Sequence, residues 1–128
     1  MVSKFTRLSL SGTLDASGEL SVYSSKIIRG LIKAVYVDRP AGNVEVKVET
    51  DELVKQEIID LSTANTDVVI YPRVPVQTNA GADINNSNDG TAVTKLFDDY
   101  VVFGRLRLVC EGGTATQVVK VVLVYEEY

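Results

Sequence analysis

The feature that most constrains the fold of this chain is its content of β-branched residues. Valine, isoleucine and threonine contribute 21, 7 and 10 of the 128 residues. Side chains that branch at Cβ are stiff at χ1, and they fit the pleated surface of a strand better than they fit a helix. The chain is therefore predicted to be all-β, and a helical bundle is disfavoured.

Alternating hydrophobicity marks the individual strands. The clearest example is residues 44–48, where valines alternate with Glu45 and Lys47. This period of two is typical of a strand with one buried face and one solvated face. Eight or nine such short segments, separated by turns, predict an antiparallel β-sandwich or a jelly-roll-like barrel. Because the chain has the usual size of one domain, residues 1–128 are assigned to a single β domain.

Turn sequences predict two hairpins. The polar turn at residues 15–18 lies between two alternating segments and predicts an opening hairpin. The Glu-Gly-Gly turn at residues 111–113 joins residues 100–110 to residues 116–125, which predicts a long closing hairpin.

Two further segments are less regular. Gly30 lies inside a long apolar segment, where a glycine indicates a bulge or the close approach of a neighbouring backbone. Residues 50–62 fit either a helix capped by Thr50 or a loop followed by a strand over residues 56–62. The strand is favoured because β signals dominate the rest of the chain.

The composition argues against several classes of active site. The chain has no histidine and one cysteine, Cys110, which excludes Ser-His-Asp and Cys-His nucleophiles, histidine-ligated zinc and an intramolecular disulfide. Cys110 lies in an apolar alternating segment and is predicted to be a small buried hydrophobic residue. The adjacent Asp98 and Asp99 would point to opposite faces of a strand, so they do not form a catalytic pair. No enzymatic activity and no cofactor are predicted.

The charge balance and the hydropathy bear on partners. The formal net charge is −4 and the isoelectric point is about 4.8, which disfavours binding to nucleic acid. No apolar segment reaches the roughly 18 residues of a membrane-spanning helix. Residues 1–12 lack the apolar core of a signal peptide. The sequence therefore predicts synthesis in the cytoplasm and association with neither nucleic acid nor membrane.

Residues 85–90 resemble the start of an EF-hand calcium loop, because oxygen-bearing side chains alternate there and a glycine follows. Leu96 stands where the bidentate glutamate would be, and Asn85 replaces the leading aspartate. A polar surface turn is therefore the favoured interpretation, and a weak calcium site is the alternative. The candidate ligands of that site are Asp83, Asn85, Ser87 and Asp89.

Basic residues near the C-terminus supply one candidate interface. Arg105 and Arg107 are expected on one face of their strand, with Lys120 across the predicted closing hairpin. These side chains form either a solvated face, balanced by Glu45 or Glu49, or a docking patch for an acidic partner surface.

Two other features predict contacts with further chains. Arg73 lies between two prolines, which confine that segment to a sheet edge or to a crossing between sheets. Its guanidinium is a candidate partner for a carboxylate of another chain, and a solvent-facing arginine is the alternative. Residues 118–124 are apolar on both faces, so Val122 and Val124 are expected either inside the domain or against a partner.

Three short motifs are similar to sequences of a known group of proteins. The motifs are Leu14-Asp15-Ala16-Ser17-Gly18, then Gly30-Leu31-Ile32-Lys33-Ala34-Val35-Tyr36-Val37-Asp38, then Asn65-Thr66-Asp67 followed by Tyr71-Pro72-Arg73. With the polar loop and the valine-rich C-terminal segment, this pattern resembles the small all-β virion proteins of tailed phages and related viruses, over about residues 8–125. The resemblance implies a structural role, such as a capsid decoration (cement) protein on the virion surface. It also implies a homo-oligomer, with a trimer favoured, bound to the major capsid protein.

Two alternatives stay open at this point. The chain could be a tail or spike component of the virion, or a monomeric β-sandwich module that recognises carbohydrate or protein through its loops. Sites of the second kind generally rely on exposed aromatic residues, and the long loop at residues 79–90 has none. Stable oligomerisation would favour the virion protein, whereas a monomer that binds sugar would favour the module.

Overall fold

The computed structural model describes residues 4–40, 44–52, 54–61, 67–75, 80–81, 85–86, 94–95 and 97–127. Over these ranges the chain forms strands and no helix, which confirms the all-β prediction. The strands are β1 (Lys4–Thr13), β2 (Leu20–Tyr23), β3 (Ile28–Asp38), β4 (Glu45–Thr50), β5 (Glu57–Leu61), β6 (Val68–Ile70), β7 (Val74–Pro75), β8 (Asn85–Asn86), β9 (Thr94–Lys95), β10 (Phe97–Asp98), β11 (Tyr100–Gly104), β12 (Leu106–Glu111) and β13 (Val118–Glu127).

Nine of these strands build two antiparallel sheets. The five-stranded sheet has the order β1-β13-β3-β11, and β6 also pairs with β3. The four-stranded sheet has the order β2-β12-β4-β5. The remaining strands form two short pairs, β7 with β10 and β8 with β9.

The two sheets pack face to face around a common core, as in a β-sandwich. The pattern predicted for residues 44–48 is confirmed, because the valines of β4 are fully buried while Glu45 and Lys47 point outward. Each long strand alternates in the same way and contributes one face to the core. The core consists of Leu8, Leu10, Leu14, Ile28, Ile32, Val35, Val37, Val44, Val46, Val48, Ile58, Ile59, Val102, Leu106, Leu108, Cys110, Val119, Val121, Leu123 and Tyr125.

Both predicted hairpins are wrong. β1 pairs with β13 and β2 pairs with β12, so the turn at residues 15–18 carries the chain from one sheet to the other. β12 and β13 also lie in different sheets, and the turn at residues 111–113 crosses the sandwich in the same way. A turn sequence indicates that the chain reverses. It does not reveal whether the two strands bond edge to edge or stack across the core, because both arrangements bury the same alternating side chains.

The segment predicted as one strand over residues 100–110 is two strands in different sheets. The chain crosses between β11 and β12 at Gly104 and Arg105. Ser24, which is buried, holds the start of β12: its Oγ accepts a hydrogen bond of 3.0 Å from the Leu106 N–H, and its own N–H donates to the Leu106 carbonyl at 2.8 Å. The side-chain hydroxyl and the backbone thus satisfy polar groups that the crossing would otherwise leave buried without partners.

The strand favoured for residues 56–62 is confirmed over Glu57–Leu61 as β5, and Ser62 lies outside the described residues. Thr50 does not cap a helix. Its N–H donates to the Gln56 carbonyl at 3.0 Å, and its Oγ1 accepts from the Gln56 N–H at 2.9 Å. The same hydroxyl that could have started a helix therefore closes the connection between β4 and β5.

The close approach predicted at Gly30 is also confirmed. A Cβ atom at this position would overlap the carbonyl oxygen of Glu126 on β13. The register between β3 and β13 shifts between Val124 and Tyr125, which leaves Lys33 as the extra residue of a bulge in β3.

Candidate functional site

The outward-facing side chains of the two sheets differ in character. Of ten large hydrophobic residues that are exposed, six lie on the outer face of the five-stranded sheet, whereas one, Tyr23, lies on a strand of the four-stranded sheet. The most exposed of the six is Phe103, at 69%. We call this surface the apolar face. It consists of Phe5, Leu31, Tyr36, Val69, Val101, Phe103, Val118, Val122 and Val124.

Strand register places several of these side chains next to one another. Val122 on β13 is opposite Tyr36 on β3, and Tyr36 is opposite Val69 on β6. This row forms one wall of a groove of about 310 Å³, which Asp38 and Lys120 border at one end. A groove lined mainly by valine and tyrosine side chains can bind apolar groups, because removal of both apolar surfaces from water is favourable.

Charged residues of both signs lie within and around the apolar face. Glu126 is opposite both Phe5 and Leu31, and Arg7 is opposite Val124. The guanidinium of Arg29 lies over the ring of Phe103, with 5.5 Å from its Cζ atom to the ring centroid. Near the other end of β3, Asp38 is in register with Lys120 of β13. The border therefore has cationic and anionic groups that can form hydrogen bonds with the rim of a partner surface.

The outer face of the four-stranded sheet has the opposite character, and we call it the charged face. Arg107 lies at its centre, where its Nε donates to the Ser21 hydroxyl at 2.9 Å and its Nη1 lies 3.3 Å from Glu49 Oε1. Its Cζ atom is 5.6 Å from the ring centroid of Tyr23. The charged face consists of Ser21, Tyr23, Glu45, Lys47, Glu49, Glu57, Asp60, Arg107, Val109 and Glu111.

Lys47 illustrates how the charges of this face are balanced within the chain. Its Nζ lies 3.5 Å from Glu45 Oε1, and Asp60 is its cross-strand neighbour on β5. Asp60 and then Glu45 raise the pKa of Lys47 above its ordinary value, because nearby negative charges favour the ammonium form. The cation and its acidic neighbours thus form a local ion network on the solvent side of the sheet.

The predicted grouping of Arg105, Arg107 and Lys120 is wrong. Because β12 and β13 lie in different sheets, Arg107 belongs to the charged face and Lys120 borders the apolar face on the other side of the sandwich. Arg105 is exposed at the crossing before β12, where its carbonyl accepts a hydrogen bond from the Asp51 N–H. The predicted alternative, in which Glu49 balances an arginine, is confirmed for Arg107.

Arg73 belongs to a cluster of charges around a buried carboxylate. Asp99 is 7% exposed; its Oδ2 lies 2.6 Å from Lys33 Nζ, and its Oδ1 contacts the guanidinium of Arg73. Lys33 also lies 3.5 Å from Glu126 Oε2. The carboxylate that Arg73 contacts thus belongs to its own chain. Asp98 is exposed while Asp99 is buried, so the prediction that they point to opposite sides is confirmed.

Most of the candidate calcium loop lies outside the described residues. This holds for Asp83, Ser87 and Asp89, and Asn85 is described only as part of the backbone of β8. Within the described part of the chain, no three carboxylate or cysteine side chains come together in a way that could hold a metal ion. Helices long and apolar enough to cross a membrane are likewise missing from that part.

Cys110 is buried, as predicted, and lies in the core of the sandwich with 1% exposure. Burial raises the pKa of its thiol to about 12, because the thiolate would lose its hydration. A cysteine in this environment is a packing residue and not a nucleophile.

Comparison with known proteins gave no match: no protein-family model, no curated protein and no solved structure is significantly similar to this chain. Functional inference therefore depends on the geometry of the two faces.

Sequence reasoning identified part of the apolar face and missed the rest. Val122 and Val124 were predicted as candidates because residues 118–124 are apolar on both faces, and both lie on the apolar face, half-buried. Val101 and Phe103 were missed, although the run of apolar residues that contains them carries the same signal. Their placement beside β3 depends on the crossing at Gly104, which the sequence did not reveal.

Proposed function

We propose that this chain is a structural protein of a virion: a capsid decoration protein that self-associates and attaches to the outside of a capsid lattice through its apolar face. It acts by assembly and not by catalysis, and it reaches the particle after synthesis in the host cytoplasm. The observation that supports this proposal is the contrast between the two outer faces of the sandwich: one has most of the exposed large hydrophobic side chains, and the other has a network of ion pairs.

Several side chains of the apolar face have exposed hydrophobic area that contact with another protein would bury. Full burial of a valine or phenylalanine side chain contributes about 1.5–3 kcal/mol. Phe5, Val101 and Phe103 are 65%, 60% and 69% exposed, so each retains more than half of that contribution for a contact with another protein. Exposed hydrophobic side chains that cluster on one face in this way are typical of protein–protein contact sites.

The charged face is suited to solvent. Its central cation, Arg107, already has Glu49 and Ser21 as partners, and Lys55 also lies 3.7 Å from Glu49. Removal of these groups from water would cost desolvation energy that the existing pairs could not recover. A decoration protein that attaches through one sheet and exposes the other has this division of polarity, which agrees with the role implied by the sequence resemblance.

Co-sedimentation tests the proposal directly. The probe is empty capsids assembled from the major capsid protein of the same virus, mixed with the purified chain. The Val122→Asp variant places a carboxylate in the groove of the apolar face, opposite Tyr36, and is expected to stay in the supernatant while the wild type sediments. The matched control is Val109→Asp, a half-buried valine of the charged face whose cross-strand neighbour is Lys47, and it is expected to sediment like the wild type.

A second variant separates loss of attachment from loss of folding. Val101 is 60% exposed, so Val101→Asp is expected to keep the wild-type melting temperature and still reduce sedimentation. If the wild type does not sediment with the capsids, or if both variants of the apolar face sediment with it, the proposal is wrong. A monomer that ignores capsids would favour the binding module, with the groove of about 310 Å³ as its site.

A further inference from the structure

β1 is an unusually long and regular sheet edge. Its ten residues pair with β13 in one continuous register, without a bulge, and β13 is its hydrogen-bonded neighbour among the described residues. The other edges are shorter: β6 has three residues, β2 has four, β11 has five, and β5 has five with a shift of register beside β4. A long, straight edge presents a row of backbone donors and acceptors to any other extended chain.

The hydrogen bonds at the end of β1 show which of its residues point away from β13. Leu14, which directly follows β1, donates its N–H to the Gln117 carbonyl and accepts from the Thr116 N–H, so its backbone groups point toward the β13 side. Backbone direction alternates along a strand. The even-numbered residues of β1 therefore bond to β13, and the N–H and C=O groups of Phe5, Arg7, Ser9 and Ser11 point away from it.

We propose that β1 pairs antiparallel with β1 of a second copy of this chain, around a two-fold axis perpendicular to the sheet, so that two five-stranded sheets become one continuous sheet. This contact names the surface through which the proposed decoration protein self-associates. Its role on the particle rests on the proposed function. The contact also replaces the trimer that the sequence resemblance implied with a two-fold contact.

The chemistry of β1 fits a second copy of itself. In a symmetric pair, odd-numbered residues must oppose odd-numbered residues, because the two sets of side chains have to share a face. The register centred on Leu8 places Arg7 opposite Ser9 of the second copy, and the register centred on Ser9 places it opposite Ser11. Both registers keep the two arginines apart and pair them with small hydroxyl residues. A register centred on Arg7 would oppose like charges and is excluded.

Light scattering after size exclusion tests the contact without capsids. The wild type is expected to have twice the chain mass of 13.9 kDa. In both allowed registers the outward N–H of Ser9 donates to the second copy, once from each chain. Ser9→Pro removes these two hydrogen bonds, leaves the bonds to β13 intact, and is tolerated at an edge position. It is expected to weaken association roughly ten-fold or more. Ser9→Ala keeps the N–H and is expected to remain a dimer.

Amide hydrogen exchange supplies a second readout that does not depend on the proline variant. The Arg7 amide points away from β13, so it is expected to be protected in the wild-type dimer and to exchange quickly in the dissociated chain. The Leu8 amide bonds to β13 and is expected to be protected in both. A monomeric wild type, a mass of three chains, or an unprotected Arg7 amide in an oligomer would overturn the inference. Failure of capsid sedimentation, with the dimer intact, would instead overturn the proposed function.

Discussion

Replacement of Gly30 by alanine tests how tightly β13 lies against β3. The added methyl group would overlap the carbonyl oxygen of Glu126, which is a backbone atom and cannot rotate away. Carbon and oxygen atoms need separations of about 3.5 Å, so the end of β13 would have to move by on the order of 1 Å. Such a shift disrupts the pairings of Glu126 and Glu127 with β3. Two ladder hydrogen bonds contribute about 2 kcal/mol. Disturbed packing of Tyr125, which is 1% exposed, adds to the loss.

The sign of the change in the free energy of unfolding distinguishes a steric overlap at Gly30 from an effect of backbone propensity. Without the overlap, Gly30→Ala would stabilise the protein by about 0.4–1 kcal/mol, because alanine has less conformational freedom in the unfolded chain. We therefore expect a net destabilisation of about 1–2 kcal/mol, measured by urea unfolding with far-UV circular dichroism. The control is Ala34→Gly in the same strand, where propensity predicts a loss of about 0.5–1 kcal/mol and the lost burial of the Ala34 methyl group adds to it. A Gly30→Ala variant as stable as the wild type, or more stable, would refute the close approach of the two strands.

Two further predictions concern buried groups. Asp99→Asn should lower the free energy of unfolding by about 1–3 kcal/mol, because Lys33 and Arg73 lose their shared carboxylate; the loss is limited because these partly exposed cations can move into water. The control, Asp98→Asn, should change the free energy of unfolding by no more than about 0.5 kcal/mol. Equal effects of the two variants would contradict the burial of Asp99. Cys110 should resist iodoacetamide at pH 8 in the native protein and react in 6 M urea, because burial raises its pKa to about 12; rapid alkylation of the folded chain would show that the core opens at β12.

Local patterns predicted the strands well but not their partners. The alternation in β4, the strand after Thr50 and the glycine in β3 all follow from the chemistry of neighbouring residues, and all three are confirmed. The pairings of β1 and β13 join residues at opposite ends of the chain, from Lys4 with Glu127 to Thr13 with Val118. No local signal encodes a contact of that kind, because a period of two reveals which face is buried but not which strand lies alongside.

The candidate site was predictable to the same extent. A segment that is apolar on both faces is either buried on both sides within the domain or exposed to a partner on one side, and the second alternative identified Val122 and Val124 as candidates. The basic patch failed because it depended on topology: Arg107 and Lys120 would share a face in a hairpin, and the sandwich puts them on opposite sides. Arg73 was a candidate for contact with a carboxylate of another chain, but its carboxylate partner, Asp99, is buried in the same chain. The positions of these charged side chains thus depend on contacts between residues that are distant in sequence.

The proposed edge contact and the apolar face can act together, because the edge contact extends the sheet within its plane and the apolar face points perpendicular to that plane. A two-fold axis perpendicular to the sheet leaves the direction of each outer face unchanged. Both apolar faces of the dimer therefore point to one side, and both charged faces point to the other. A dimer of this form could attach to a lattice through two faces at once, and linkage of two binding sites can raise affinity by roughly 10²–10⁴ without new contacts. Ser9→Pro should therefore weaken capsid attachment much more than Ser9→Ala does, even though both variants keep the valines and aromatic residues of the apolar face. Equal sedimentation of the two variants at limiting concentration would show that each chain attaches alone.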